Sequence, residues 1–191
     1  TIDLQMNQDA SAGTWPIIGH EWAVELLQHS LAGGRQPHAV LLAGPAQIGK
    51  RMLALALASA INCTSKGARP CGQCRSCRLI EHDSHPDVRV VQADAGESSR
   101  EGVLKIDQIR ELQHAAALGP LESSYKVFVL REIERANLPA ANALLKTLEE
   151  PPSQVVLLLT SARPHALLPT IISRCQVLAL RPLPLGQIAT A

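Results

Sequence analysis

His38-Ala39-Val40-Leu41-Leu42-Ala43-Gly44-Pro45-Ala46-Gln47-Ile48-Gly49-Lys50 is the stretch that decides the fold. Its first half, with Val40, Leu41 and Leu42 in a row, predicts a short buried strand over 38–43 that ends at Gly44. The second half matches the GxxxxGK phosphate loop. In such a loop backbone N–H groups wrap the phosphates, glycines allow close approach, and the lysine reaches the outer phosphates. Residues 50–62 are rich in Ala and Leu, both strong helix formers, so strand, loop and helix follow in the order the motif requires. Gly44, Gly49 and Lys50 are therefore candidate nucleotide-binding residues.

Outward from this stretch, helical spacing of apolar residues predicts a helix over 21–31, stopped by Gly33-Gly34. Downstream, strands are predicted over 87–92, 126–130, 154–160 and 176–180, with helices over 106–117 and 138–149, the latter closed by Pro151-Pro152. Strands alternating with helices predict an α/β fold with a parallel sheet covered on both faces. The chain has 191 residues, 46% of them hydrophobic, which is ample for one core. One domain is expected over 1–181. The tail over 182–191, with Pro182 and Pro184, reads as the start of a linker cut short.

A net charge of +1 with 18% charged residues argues against both a nucleic-acid polycation and an acidic tail, so any nucleic-acid contact is expected to be local or shared. Residues 1–14 lack the basic start and apolar run of a signal peptide, and no apolar run is long enough to cross a bilayer. No membrane partner and a cytoplasmic location are the default expectations. In that setting five cysteines point to reduced thiols or metal ligation rather than disulfides.

A hydrolytic phosphate loop needs two supports for its metal. The first is a Ser or Thr after the lysine, where this chain has Arg51; the second is an acid at the end of the next apolar strand, where it has Arg131 followed by Glu132. A guanidinium repels a cation and can instead offset phosphate charge. Glu132 is left as a degenerate acidic motif able to position a water. A scaffold without turnover is the preferred reading; ATP or ADP binding without hydrolysis stays open, and a role for Mg²⁺ is doubtful.

Cys63, Cys71, Cys74 and Cys77 form a CxxCxxC run preceded by a fourth thiol, with Gly72 for the turn; four thiolates close a tetrahedral Zn²⁺ site. The polar or turn-forming residues around them, Gly67, Arg69, Pro70, Gln73, Arg75 and Ser76, do not look like core. With no open coordination position the metal is expected to be structural. Cys175 stands apart as a small apolar residue. His85-Pro86-Asp87 reads as a turn into a strand rather than a metal pair. Asn142 to Pro152 taken alone is an amphipathic helix, and Arg174 of Ser173-Arg174-Cys175 an ordinary charge.

Together, Ile18-Gly19-His20, the loop 44–50, the four cysteines, Lys146-Thr147-Leu148-Glu149-Glu150-Pro151-Pro152 and Ser173-Arg174-Cys175 resemble bacterial DNA polymerase III clamp-loader subunits. These are AAA+ proteins that open the sliding clamp and place it on primed DNA. Arg51, Arg131 and His85-Pro86-Asp87 resemble the delta-prime type rather than the gamma/tau ATPase. The resemblance implies a RecA-like sheet with an inserted zinc module over 63–77, gamma/tau and delta as partners, and no polymerase active site. It gives Arg174 the role of an arginine finger in trans, oriented by Ser173, and Thr160-Ser161 the place of a sensor of the γ-phosphate. The family's helical lid and collar are not found after Arg181, so a fragment is expected. Competing readings are a gamma/tau-like ATPase with an unusual site, a small-molecule P-loop kinase, for which the lid and metal ligands are missing, and a zinc-ribbon nucleic-acid binder supported only by Arg69, Arg75 and Arg78.

Overall fold

The computed structural model describes residues 15–34, 36–96 and 99–182; most of the tail expected over 182–191 lies outside the described residues. The chain runs α1 (Glu21–Ala32), β1 (Ala39–Ala43), α2 (Lys50–Asn62), α3 (Arg75–Glu81), β2 (Val88–Val91), β3 (Asp94–Gly96), β4 (Ser99–Val103), α4 (Ile106–Ala117), β5 (Lys126–Leu130), α5 (Leu138–Glu149), β6 (Val155–Ser161), α6 (Pro169–Ile172) and β7 (Gln176–Ala179). Five strands form one sheet in the order β2-β5-β6-β1-β7. Every pairing in it is parallel. β3 and β4 make a separate antiparallel pair.

The unbroken apolar strands are explained by burial on both faces. On β1, Ala39, Leu41 and Ala43 enter one core with Phe128, Leu130, Leu157 and Leu159, covered by α4 and α5. Val40 and Leu42 alternate to the other face, where Val127, Val129, Val156 and Leu158 meet α1 and α2. Each fully buried Leu or Val contributes about 1.5–3 kcal/mol relative to exposure. Local signals set the helix ends: Asn137 caps α5 by accepting from the Ala140 amide at 2.9 Å, and Gln108 accepts from the Lys105 amide at 3.0 Å at the start of α4.

The α/β parallel fold and all nine elements predicted above are present. α3, α6 and the β3–β4 pair were not foreseen. α3 has only Cys77 and Ile80 as its buried apolar positions, too short a period to separate from a loop. The reading of Pro70 and Ser76 as not core-like needs correcting, because both are buried against the module. His85-Pro86-Asp87 is the expected turn into a strand. The buried Asp87 carboxylate accepts from the amides of Leu121, Glu122 and Ser123 at 2.6, 2.8 and 2.9 Å. It ties the start of β2 to the approach of β5. No helix among the described residues is long and apolar enough to cross a membrane.

Candidate functional site

β1 delivers Gly44 to the carboxyl edge of the sheet. A Cβ there would lie 2.4 Å from the Leu180 carbonyl oxygen and 2.6 Å from Ile48 Cδ1, so only glycine fits. Gly49, at φ 87, starts α2 in the left-handed region that glycine enters without strain. Lys50 is buried and donates from Nζ to the Gly44 carbonyl at 2.7 Å and to that of Pro45. Burial pushes its pKa below the ordinary lysine value, while the nearby carboxylates of Glu134 and Glu132 pull it up. Beside the loop, an apolar hollow of about 350 Å³ is lined by Pro16, Ile17, Ile18, Ile48 and Met52.

The two arginines at the metal-supporting positions have partners of their own. Arg51 pairs with Asp83 at 2.6 Å, and Arg131 Nη1 donates to Gln92 Oε1 at 2.7 Å. Glu132 stands at φ 51; its amide donates to Thr160 Oγ1 at 3.0 Å, and its carboxylate pairs with Arg135 at 2.7 Å. Thr160 thus braces the turn that holds Glu132. Glu134, not singled out from sequence, accepts from the Ala162 amide at 2.8 Å through Oε1. Its Oε2 is buried with no hydrogen-bond partner among the described residues. Spacing alone gives no signal for Asp83, Gln92 or Glu134, which reach the site from separate loops.

The four cysteine sulfurs lie within 4.8 Å of one another, close to the roughly 3.8 Å edge of a tetrahedron with about 2.3 Å metal–sulfur bonds. Cys63 caps the end of α2 and Cys74 the start of α3. The Cys74 amide donates to Cys71 Sγ at 3.3 Å and the Cys77 amide to Cys74 Sγ at 3.4 Å. Burial opposes ionisation of Cys74, but the amides of Cys77 and Thr64 outweigh it and bring the pKa to about 6. Burial raises Cys63 and Cys77. The set fits a thiophilic cation that compensates the buried thiolates. Cys175 packs beside the core, where burial lifts its pKa to about 11. Arg69, Arg75 and Arg78 turn to Ser65 O, Glu122 and Gln73 O.

Arg174 is far along the chain from these residues, on the segment between α6 and β7. Its side chain is 34% exposed and pairs with Glu149 at 2.9 Å. Nη1 donates to Thr170 O at 2.9 Å and to Ser173 Oγ at 3.3 Å. Ser173 Oγ is thus one of its contacts, and Glu149, part of the Lys146 to Pro152 string, is its ion-pair partner.

A parallel sheet with a phosphate loop at its carboxyl edge and a four-cysteine cluster at the far end of α2 defines an AAA+-type domain with an inserted four-cysteine module. The family model for the DNA polymerase III delta subunit matches residues 19–184, and the chain belongs to that family. It is 41% identical over 160 residues to the DNA polymerase III subunit delta' of Bacillus subtilis, covering 84% of this chain and 47% of the relative. It is 37% identical over 161 residues to subunit tau of the same organism, covering 84% and 27%. The crystal structure of a DNA polymerase III gamma subunit-related protein from Thermotoga maritima superposes with a TM-score of 0.58 at 25% identity, covering 84% of this chain and 47% of that one. The chain spans less than half the length of these relatives.

Proposed function

We propose that this chain is the AAA+ portion of a delta-prime-type clamp-loader subunit. It assembles beside a gamma/tau-type subunit, with delta in the same complex, gives Arg174 to the ATP held by that neighbour, and turns over little ATP itself. Through the complex it serves the sliding clamp and primed DNA, in the cytoplasm. The observation that carries this reading is the pairing of Arg51 with Asp83 and of Arg131 with Gln92. Neither metal-supporting position offers an oxygen ligand, so Mg²⁺-assisted attack on a γ-phosphate lacks its two protein ligands.

Lys50, Gly44 and Gly49 still suit a phosphate chain, and the hollow by Ile17 and Ile18 suits a base, so ATP or ADP is bound without being hydrolysed. Arg51 then offsets charge where an active relative ligates a metal, Thr160 holds the Glu132 turn, and Glu132 is engaged by Arg135 rather than by a water. Arg174 uses three contacts for its five N–H donors, so donors remain for a partner's phosphate. A planar permanent cation there stabilises charge developing on the transferring phosphoryl group. The metal at Cys63, Cys71, Cys74 and Cys77 is Zn²⁺ in a structural role, since four thiolates leave no position for substrate.

The gamma/tau-like alternative draws on the 37% identity to a tau subunit. The test of the finger is ATP hydrolysis by a complex reconstituted from full-length subunits. Arg174→Ala is expected to lower turnover on the order of 10³-fold with assembly intact. Unchanged turnover rules the finger out.

A further inference from the structure

A cavity of about 510 Å³ runs along the edge strand β2, between the first turn of α2 and the loop after α3, and reaches Arg131 just past the end of β5. Arg51, Asp83, His85, Gln92 and Arg131 line it, and no residue of 44–50 does.

Strand alternation decides which charges face it. Val127 and Val129 of β5, and Val88 and Val90 of β2, pack on the α2 side of the sheet, and a period of two carries Arg131 and Gln92 to that side. Arg89 also borders the cavity, but it pairs at 2.9 Å with Glu111 of α4 on the opposite side. His85 is buried, and burial lowers its pKa against the pull of the Asp87 and Glu122 carboxylates, which favours the neutral ring. Its Nδ1 accepts from the Asp87 amide and its Nε2 meets Ser123 Oγ. Two guanidiniums, Arg51 and Arg131, therefore face one carboxylate, Asp83. Arg51 contacts Asp83 through one nitrogen and Arg131 contacts a neutral amide through one, so each retains donors for a second acceptor.

We infer that this cavity is an anion site separate from the phosphate loop, taking a phosphate group, free or at the end of a nucleotide, between Arg51 and Arg131 without a divalent metal. The substitutions that remove a magnesium site thus build a metal-free one. Asp83 competes with the ligand for Arg51 and sets the affinity.

The test is calorimetric titration of the full-length protein with inorganic phosphate in EDTA. Saturable binding is expected, weakened about tenfold in Arg131→Gln by loss of one charge-assisted contact. Asp83→Asn is expected to tighten it several-fold. Asp83 stands at φ 50, a conformation asparagine also tolerates, and a gain of affinity does not arise from misfolding. In Lys50→Ala, which disables the phosphate loop's own lysine, a saturable phosphate site is expected to remain. ATP titrated into Lys50→Ala separates the sources: tighter binding than phosphate assigns the terminal phosphate of a nucleotide, equal or weaker binding the free anion. Absence of saturable phosphate binding overturns the proposal, as does binding that Lys50→Ala abolishes or to which Arg131→Gln and Asp83→Asn are indifferent.

Discussion

Helix α2 begins at Gly49 in the phosphate loop and ends against Cys63 in the cysteine module, and its two ends differ in where their polar groups find partners. At the carboxyl end the four thiols lie within fifteen residues of sequence and point at one another. At the amino end the partners come from across the chain: Glu132 and Glu134 for Lys50, Asp83 for Arg51, Gln92 for Arg131 and Thr160 for the Glu132 turn. The first end has four clustered thiols, a complete ligand set for a tetrahedral metal. The second has a complete loop, but its metal supports are arginines already held by the fold. A phosphate loop can thus persist as architecture while the charge chemistry around it changes sign.

The largest effect should come from breaking the thiolate end. Stripping the metal from the full-length protein, or Cys74→Ser, is expected to cost about 3 kcal/mol or more, roughly 6–12 °C in the melting temperature of a domain this size. Lys50→Ala should move it by less than about 2 °C. Equal shifts would erase the contrast between the two ends.

Next in size is Asp87, which fastens the strand leading out of the module. Burial raises its pKa, but the amides of Glu122, Leu121 and Ser123 outweigh burial and leave it below the ordinary aspartate value. A depressed folded pKa contributes stability that is present above the unfolded value of about 4 and is lost as the pH falls through the folded one. Asp87→Asn is expected to cost about 2 kcal/mol at neutral pH. Denaturant titrations between neutral and acidic pH should show a flatter acid dependence in the variant than in wild type; parallel curves would place the carboxylate's role elsewhere.

The smallest effect concerns Glu149, which holds Arg174 as Asp83 holds Arg51. Losing this orienting contact in Glu149→Ala is expected to lower ATP turnover of the reconstituted complex about tenfold, less than Arg174→Ala does. A loss as large as that of Arg174→Ala would mean that Glu149 is more than a positioning residue.

How far the sequence discloses these features follows from how local each one is. The strand, loop and helix from 38 to 62 and the cysteines from 63 to 77 are contiguous patterns, legible because neighbouring residues carry the whole signal. α3 escaped because two buried apolar residues, Cys77 and Ile80, do not set a helical period. Sequence spacing exposed Arg51 and Arg131 as departures but not where they turn, since Asp83 and Gln92 come from the loops after α3 and β2. Glu149 is ambiguous in sequence for a related reason: its partner lies beyond a full strand and a short helix, and only the folded chain brings the two together.

The central claim is that this site binds without turning over. Mg²⁺-dependent ATP hydrolysis by the full-length protein alone, compared with its Lys50→Ala variant, tests it most directly. Equal background rates are predicted; wild-type turnover that Lys50→Ala abolishes would contradict the account and make the chain a gamma/tau-like ATPase.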